Sequence, residues 1–252
     1  MLRVFRYWIT LYRRTWRGTI VINVLNPLLF LIGIGAGLGA LVDDNAPAQI
    51  AGVSYAAFFA PGMLAAAAMQ NAFLEGSAGV ARAAGFGAYR SATPTPLRPE
   101  QLAAGHLLFI TFRVLIASGA FIVVMAAFGL IRGWWALGAL LGATLTGVAF
   151  AAPAAAWAVG VRKLRQIDTV FRFVIMPLYM FSGTFFAVSQ LPEWIRPVSY
   201  LLPLWHGVEL CRTLSLGTAT IVGSSVHIAY LLVLAIGGFL AARVTYRRRL
   251  RP

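Results

Sequence analysis

His206, Glu209 and Arg212 fall at i, i+3 and i+6 in the segment PLWHGVELCR. One helix face can therefore present an imidazole, a carboxylate and a guanidinium together. Two chemistries are open to that set. As a metal site it offers one His and one Glu, short of a usual zinc ligand set. As an acid–base pair it has no nucleophile beside it. Mutual pairing in a polar cap fits better, because polar side chains in an apolar setting satisfy one another. Elsewhere the chain carries no GxxxxGK[ST] loop, no HExxH, no CxxC and no GxSxG elbow. The lone Cys211 excludes an intramolecular disulfide and a Cys-rich metal centre, and the histidines at 106, 206 and 227 have no ligand spacing. Gly35 to Ala40 spells a permissive GxGxxG/A pattern, but without the strand–turn–helix context that a dinucleotide site needs.

The elements that position these residues are set by composition. The chain has 252 residues, 60% hydrophobic and 11% charged, with a mean hydropathy of +0.80. Soluble domains carry roughly 25% charged residues, so this reads as an all-α integral membrane protein. A net charge of +14 would point to nucleic acid in a soluble protein. Here 16 of the 21 basic residues sit in four clusters, Arg3–Arg17, Arg82–Arg98, Arg162–Arg165 and Arg243–Arg251, separated by hydrophobic runs. That is the positive-inside pattern, and it argues against a nucleic-acid partner.

Six spans satisfy every cluster, with both termini cytosolic: about 20–41, 54–75, 102–130, 135–160, 169–187 and 223–242. Residues 1–18 form an amphipathic interfacial helix, with five arginines on one side and Leu2, Phe5, Trp8, Ile9, Tyr12 and Trp16 on the other. The apolar run after it exceeds the roughly 7–15 residues of a signal-peptide core, so it reads as a retained anchor. Asn26-Pro27 predicts a kink in span 1, and Gly33, Gly35, Gly37 and Gly39 give two GxxxG registers for close packing. The loop VDDNAPAQIAGV lies outside, and the Gly- and Pro-rich residues 76–100 inside. Arg113, two turns into span 3, is read as snorkelling to the interface. Asp168 and Arg172 are placed to pair at i, i+4. Residues 188–216 hold too many prolines and charges to cross lipid as one helix. Irregular backbone at that depth needs protein or a wet cavity around it. Re-entrant extracellular helices between spans 5 and 6 are the expectation.

FSGTFFAVSQLP followed by PLWHGVELCR resembles the signature region of ABC-2 type permeases, the membrane subunits of type V ABC transporters. The nearest likeness is to the branch holding nodulation-factor lipo-oligosaccharide and daunorubicin-type drug exporter permeases. Ala187 stands where close relatives often have proline. The resemblance covers the whole chain as a single domain, 1–252. It implies the permease subunit of an ATP-driven exporter that moves a drug or lipid-like amphiphile out of a bacterial cell. The chain itself binds no cofactor and is not an enzyme. ATP and Mg act at two separate cytosolic ATPase subunits, and a second permease copy or paralogue completes the transporter within the membrane lipids.

The same resemblance implies site residues. Coupling to the ATPase falls to Glu75, Arg82, Arg90 and Arg98. The substrate path takes Phe58, Met63, Asn71, Phe173, Met176, Tyr179 and Phe181 from spans 2 and 5. The outer gate takes Phe185, Phe186, Glu193, His206, Glu209 and Arg212. The competing reading is a non-transporting membrane anchor that assembles a partner complex.

Overall fold

The computed structural model describes residues 1–38, 53–89, 97–131 and 133–250. Among these residues every regular element is helical. Helix α1 runs Leu2–Phe30 and widens into a π-helical stretch over Leu31–Leu38. It is one unbroken helix, where the sequence led us to expect a break near Gly18. Nothing around Gly18 removes a backbone donor, and Thr19 returns its hydroxyl to the Thr15 carbonyl at 3.3 Å. Pro27 is carried inside the helix, and the wider turn follows it.

Helix α2, Tyr55–Leu74, starts at Ser54, whose Oγ accepts from the Ala57 N–H at 3.4 Å. Its end is not at Glu75. A π turn over Glu75–Gly79 leads directly into α3, Val80–Phe86. The expected cytosolic loop thus begins as helix, while Arg90 and the Pro94-to-Pro96 stretch lie outside the described residues, as do Asp43 and Asp44. Helix α4, Pro99–Ala127, has Pro at its first position and the Gln101 side chain reaching back to the Arg98 N–H at 3.2 Å. Helix α5 is Trp135–Ala158.

After α5 comes a helical run in three parts: α6 (Arg165–Val170), a π turn (Phe171–Ile175) and α7 (Met176–Phe181). A turn, a short 3-10 segment at Val188–Gln190 and helix α8 (Arg196–Leu201) follow. Leu202 is extended, and α9 then runs Pro203–Leu216. Helix α10, Ile221–Leu250, absorbs the basic tail, so RVTYRRRL is helix and not a loose end.

Among the described residues, five helices are long and apolar enough to cross a membrane: Leu2–Gly33, Tyr55–Gly85, Pro99–Ala127, Trp135–Ala158 and Ile221–Leu250. The run Arg165–Phe181, where a further span was expected, falls short of the roughly 20 residues that a perpendicular crossing takes. No ion pair joins Asp168 to Arg172 among the described residues; both side chains are exposed on this run.

Helix α5 sits at the centre, against α2, α4, α9 and α10. Its buried face is almost all Ala, Gly and Thr. Lipid tails are as apolar as leucine, so helices in a bilayer associate through close packing of small residues rather than by the hydrophobic effect. Gly207 of α9 marks that closeness: a Cβ there would fall 2.4 Å from the Thr146 hydroxyl. Gly33 and Gly37 of span 1 do not serve this purpose within the chain, since an added Cβ at either meets nothing within 4 Å.

Candidate functional site

Helix α2 is the most enclosed of the five long helices, and a different polar centre sits at each end of it. The two are about 25 Å apart by helical rise.

At the N-terminal end, Arg212 of α9 points into the junction between α2 and the turn after α7. Its Nε donates to the Phe58 carbonyl at 3.2 Å and its Nη2 to the Gly183 carbonyl at 2.7 Å. Nη1 meets the Glu209 carboxylate at 3.2 Å, and the guanidinium lies 3.8 Å from the centre of the Phe58 ring. Gly183 reaches this position with φ +76°, a conformation suited to glycine. The guanidinium fork therefore clasps three chain segments at once, with donors spread over three nitrogens where a lysine has one. The same turn is tied a second time by the Tyr55 hydroxyl, which donates to the Phe185 carbonyl at 3.0 Å. The Phe185 ring rests against Phe59 and Tyr179.

Beside Arg212 lies a contact that sequence spacing did not reveal. His206 of α9 and His227 of α10 meet Nδ1 to Nδ1 at 2.9 Å, so one ring donates and the other accepts. His206 also stacks on Tyr230 at 3.9 Å. Burial, and then the neighbouring His227, lower the His206 pKa to about 4. The set read from the sequence is thus divided between partners: Glu209 goes to Arg212 and His206 to His227. Among the described residues no three His, Cys, Asp or Glu side chains converge as a metal site. Glu193 is exposed, Phe186 half-buried, and Arg196 is held by the Leu191 carbonyl at 2.7 Å.

At the other end, Glu75 opens the π turn and forms an ion pair with Arg113 of α4. Arg113, expected to snorkel, instead finds its counter-charge inside the chain, with the Tyr12 ring of α1 centred 5.5 Å away. The signal available in the sequence was an acid closing one span and a base opening the next at matching depth. Over this pair lies a cavity of about 370 Å³, lined by Tyr7, Trp8, Tyr12, Arg82 and His106 among others. Arg82 is exposed on α3, and Arg98 is exposed just before α4. Trp8 stacks on His106 at 4.1 Å. The Tyr89 hydroxyl touches His106 Nδ1 at 2.5 Å and the Tyr246 hydroxyl at 3.0 Å. Glu100 binds Arg247 at 2.7 Å and Arg243 at 3.4 Å. This end thus gathers α1, α3, α4 and α10 around one set of aromatic and ionic contacts.

Of the residues assigned to a substrate path, the structure joins Tyr179 to Met63 and Met63 to Asn71, and holds the others apart. Phe58 lies under Arg212. Tyr179 donates its hydroxyl to the Met63 sulfur at 3.1 Å. Phe173, Met176 and Phe181 are exposed along the Arg165–Phe181 run. Met63 and Asn71 line a separate cleft between α1, α2 and α4.

Comparison with known proteins accords with this architecture. The family described as ABC-2 type transporter matches residues 3–216. "Nodulation protein J" of Sinorhizobium fredii is 34% identical, covering 96% of this chain and 94% of that protein. The protein of the same name from Rhizobium meliloti is 32% identical, over 97% and 94%. "Inner membrane transport permease YadH" of Escherichia coli is 23% identical, over 81% of each. No solved structure matches. With the family match running from the N-terminal helix through α9, and relatives aligned along nearly the whole length, the chain belongs to the ABC-2 type transporter family of membrane permeases.

Proposed function

We propose that this chain is the permease subunit of an ATP-driven exporter, moving an amphipathic or hydrophobic substrate outward across a bacterial plasma membrane. The observation that carries the reading is helix α2, one enclosed element that ends in a fixed arginine clasp on one side and an aromatic–ionic junction on the other. A rigid helix passes a displacement at one end to the other without new contacts forming between them.

In this reading both termini are cytosolic, Arg165–Phe181 is the short fifth of six spans, and α8 and α9 are re-entrant outer helices. Helix α9 is about 21 Å long, too short to cross but sufficient to plug one leaflet. Residues 76–98, with Arg82 and Arg90, receive one of two separate ATPase subunits, and the basic side of α1 lies along the membrane surface beside them. The basic clusters Arg3–Arg17, Arg82–Arg98, Arg162–Arg165 and Arg243–Arg251 support that orientation. The exposed apolar sides of α1 and of Arg165–Phe181 are available to lipid and to a second permease. YadH, whose name describes a transport permease, extends the same reading to this chain.

The test is ATP-driven uptake of a fluorescent amphiphile into inside-out vesicles holding the permease with its partner ABC ATPase. ATP-dependent uptake, lost on substituting the ATPase P-loop lysine, is expected. Equal uptake with and without that ATPase would leave only a membrane anchor. Arg82→Glu with Arg90→Glu should abolish ATPase binding; retained binding and transport would remove the coupling assignment.

A further inference from the structure

The cleft between α1, α2 and α4 is unlike the rest of the membrane-depth surface. Four carboxamides line it: Asn23 and Asn26 from α1, Gln70 and Asn71 from α2. Ser118 of α4 completes the polar set. Its hydroxyl is buried, the residue being 3% exposed, and has no hydrogen-bond partner. Phe30, Met63 and Phe121 supply apolar wall. Among the described residues no charged side chain lines the cleft, and Glu75 and Arg113, one helical turn along from Asn71 and Ala117, engage each other.

A buried hydroxyl without a partner costs roughly 1–3 kcal/mol, and carboxamides facing hydrocarbon add to that cost. Such a group implies an occupant that hydrogen-bonds. Each carboxamide offers a carbonyl acceptor and an NH2 donor, so the walls match groups that both give and take protons in hydrogen bonds. The absence of a counter-charge excludes an ionised group, whose desolvation would go uncompensated. The volume is about 90 Å³, near that of three waters at roughly 30 Å³ each. It therefore takes a few heavy atoms, such as the hydroxyl- or amide-bearing edge of a ring, with the remainder of the molecule along the open side.

We propose that this cleft is a binding site for the uncharged, hydrogen-bonding head of an amphiphile, and that it discriminates against charged heads carrying the same tail. This deepens the exporter reading and rests on it for physiological meaning, but binding itself requires neither ATP nor the partner ATPase. The site lies between α1, α2 and α4; it shares Met63 and Asn71 with the path implied by the resemblance, but none of that path's residues from Arg165–Phe181 lines it.

The test uses the full chain in nanodiscs, without nucleotide, and an octyl glucoside bearing a photoreactive diazirine on its head. Labelling should map by mass spectrometry to Asn23–Phe30, Met63–Asn71 and Ala117–Phe121. Unlabelled octyl glucoside should compete, while octyl sulfate and octyl trimethylammonium should compete at least tenfold less well. Asn26→Leu and Gln70→Leu should each weaken labelling roughly five- to tenfold, as loss of one hydrogen bond does; Ser118→Ala should do the same while retaining the fold. Equal competition by charged heads, unchanged labelling in all three variants, or labelling confined to other helices would overturn the proposal. So would an Asn26→Cys crosslink between two permease copies that leaves labelling untouched, since a second copy would then fill the cleft. Failure here with ATP-driven uptake intact removes the site alone, whereas labelling without uptake removes the exporter.

Discussion

The two ends of α2 each hold one arginine–glutamate pair, yet they are built for opposite tasks. Arg212 is 9% exposed at its side chain and has four kinds of partner: two backbone carbonyls, a carboxylate and an aromatic face. Arg113 is 25% exposed and has one carboxylate and one more distant ring. Backbone carbonyls cannot rotate away, so the first arrangement fixes three segments relative to one another. The second depends on two side chains above a 370 Å³ cavity, and those can part without unsatisfying any backbone group. A clasp at one end and a releasable pair at the other are what a helix needs if it is to swing about one fixed point.

The largest expected effect is therefore at Arg212. Arg212→Ala would leave the Phe58 and Gly183 carbonyls unpaired in a buried site and orphan Glu209. Each buried acceptor left unsatisfied costs roughly 1–3 kcal/mol, so the two carbonyls together cost on the order of 2–6 kcal/mol. The measurable outcome is loss of folded, monodisperse protein in detergent and a sharply lower melting temperature. Arg212→Lys should rescue little, because an ammonium gathers its donors on one nitrogen and lacks the planar fork that reaches these separate acceptors and stacks on Phe58. Near-native stability of the lysine variant would mean that charge, not the clasp, is what this end requires.

At the other end the same loss should be mild for folding and severe for work. A partly exposed pair contributes roughly 0–1 kcal/mol, so Glu75→Gln or Arg113→Gln should shift melting little while cutting ATP-driven uptake severalfold. Exchanging the charges, Glu75→Arg with Arg113→Glu, should restore much of that uptake. If the single variants transport normally, or if the exchanged pair is no better than either single, the pair is structural filler and the contrast with Arg212 collapses.

Most of this architecture is legible in the sequence, but unevenly, and the physics says why. Charge clusters and apolar runs locate the long helices, since a bilayer imposes length and excludes charge. The i, i+3 placement of Glu209 and Arg212 foretells their contact, because helical neighbours meet whatever the tertiary fold. What periodicity cannot carry is the meeting of distant helices. His206 and His227 are joined only because α9 and α10 happen to pack, and Tyr89, His106, Tyr246 and Trp8 come from four separate segments. Helix ends are the other blind spot. Glu75 looked like a terminus, but a π turn absorbs Gly76 and Gly79 without breaking the run. The path residues rest on the family resemblance, which selects spans 2 and 5 but does not distinguish a ring facing a cavity from one facing outward, as the exposure of Phe173 illustrates.

The smallest effect sharpens the comparison by asking whether the clasped end is also a titrating one. Burial and the adjacent His227 depress the His206 pKa from 6.5 to about 4. A depressed pKa means that the unfolded chain takes up the proton first as pH falls. The stabilising contribution of a neutral His206 is therefore complete above pH 6.5 and declines as pH drops from 6.5 toward 4. Once charged, His206 can no longer offer an acceptor at Nδ1, so the link to His227 then depends on His227 accepting. Melting temperature measured across pH 7 to 4 should fall faster in the native chain than in His206→Gln, whose side chain does not titrate. The difference between the two curves isolates this group from every carboxylate in the protein. Parallel curves would mean that the imidazole pair opens to water, and that the rigidity of this end resides in Arg212 alone.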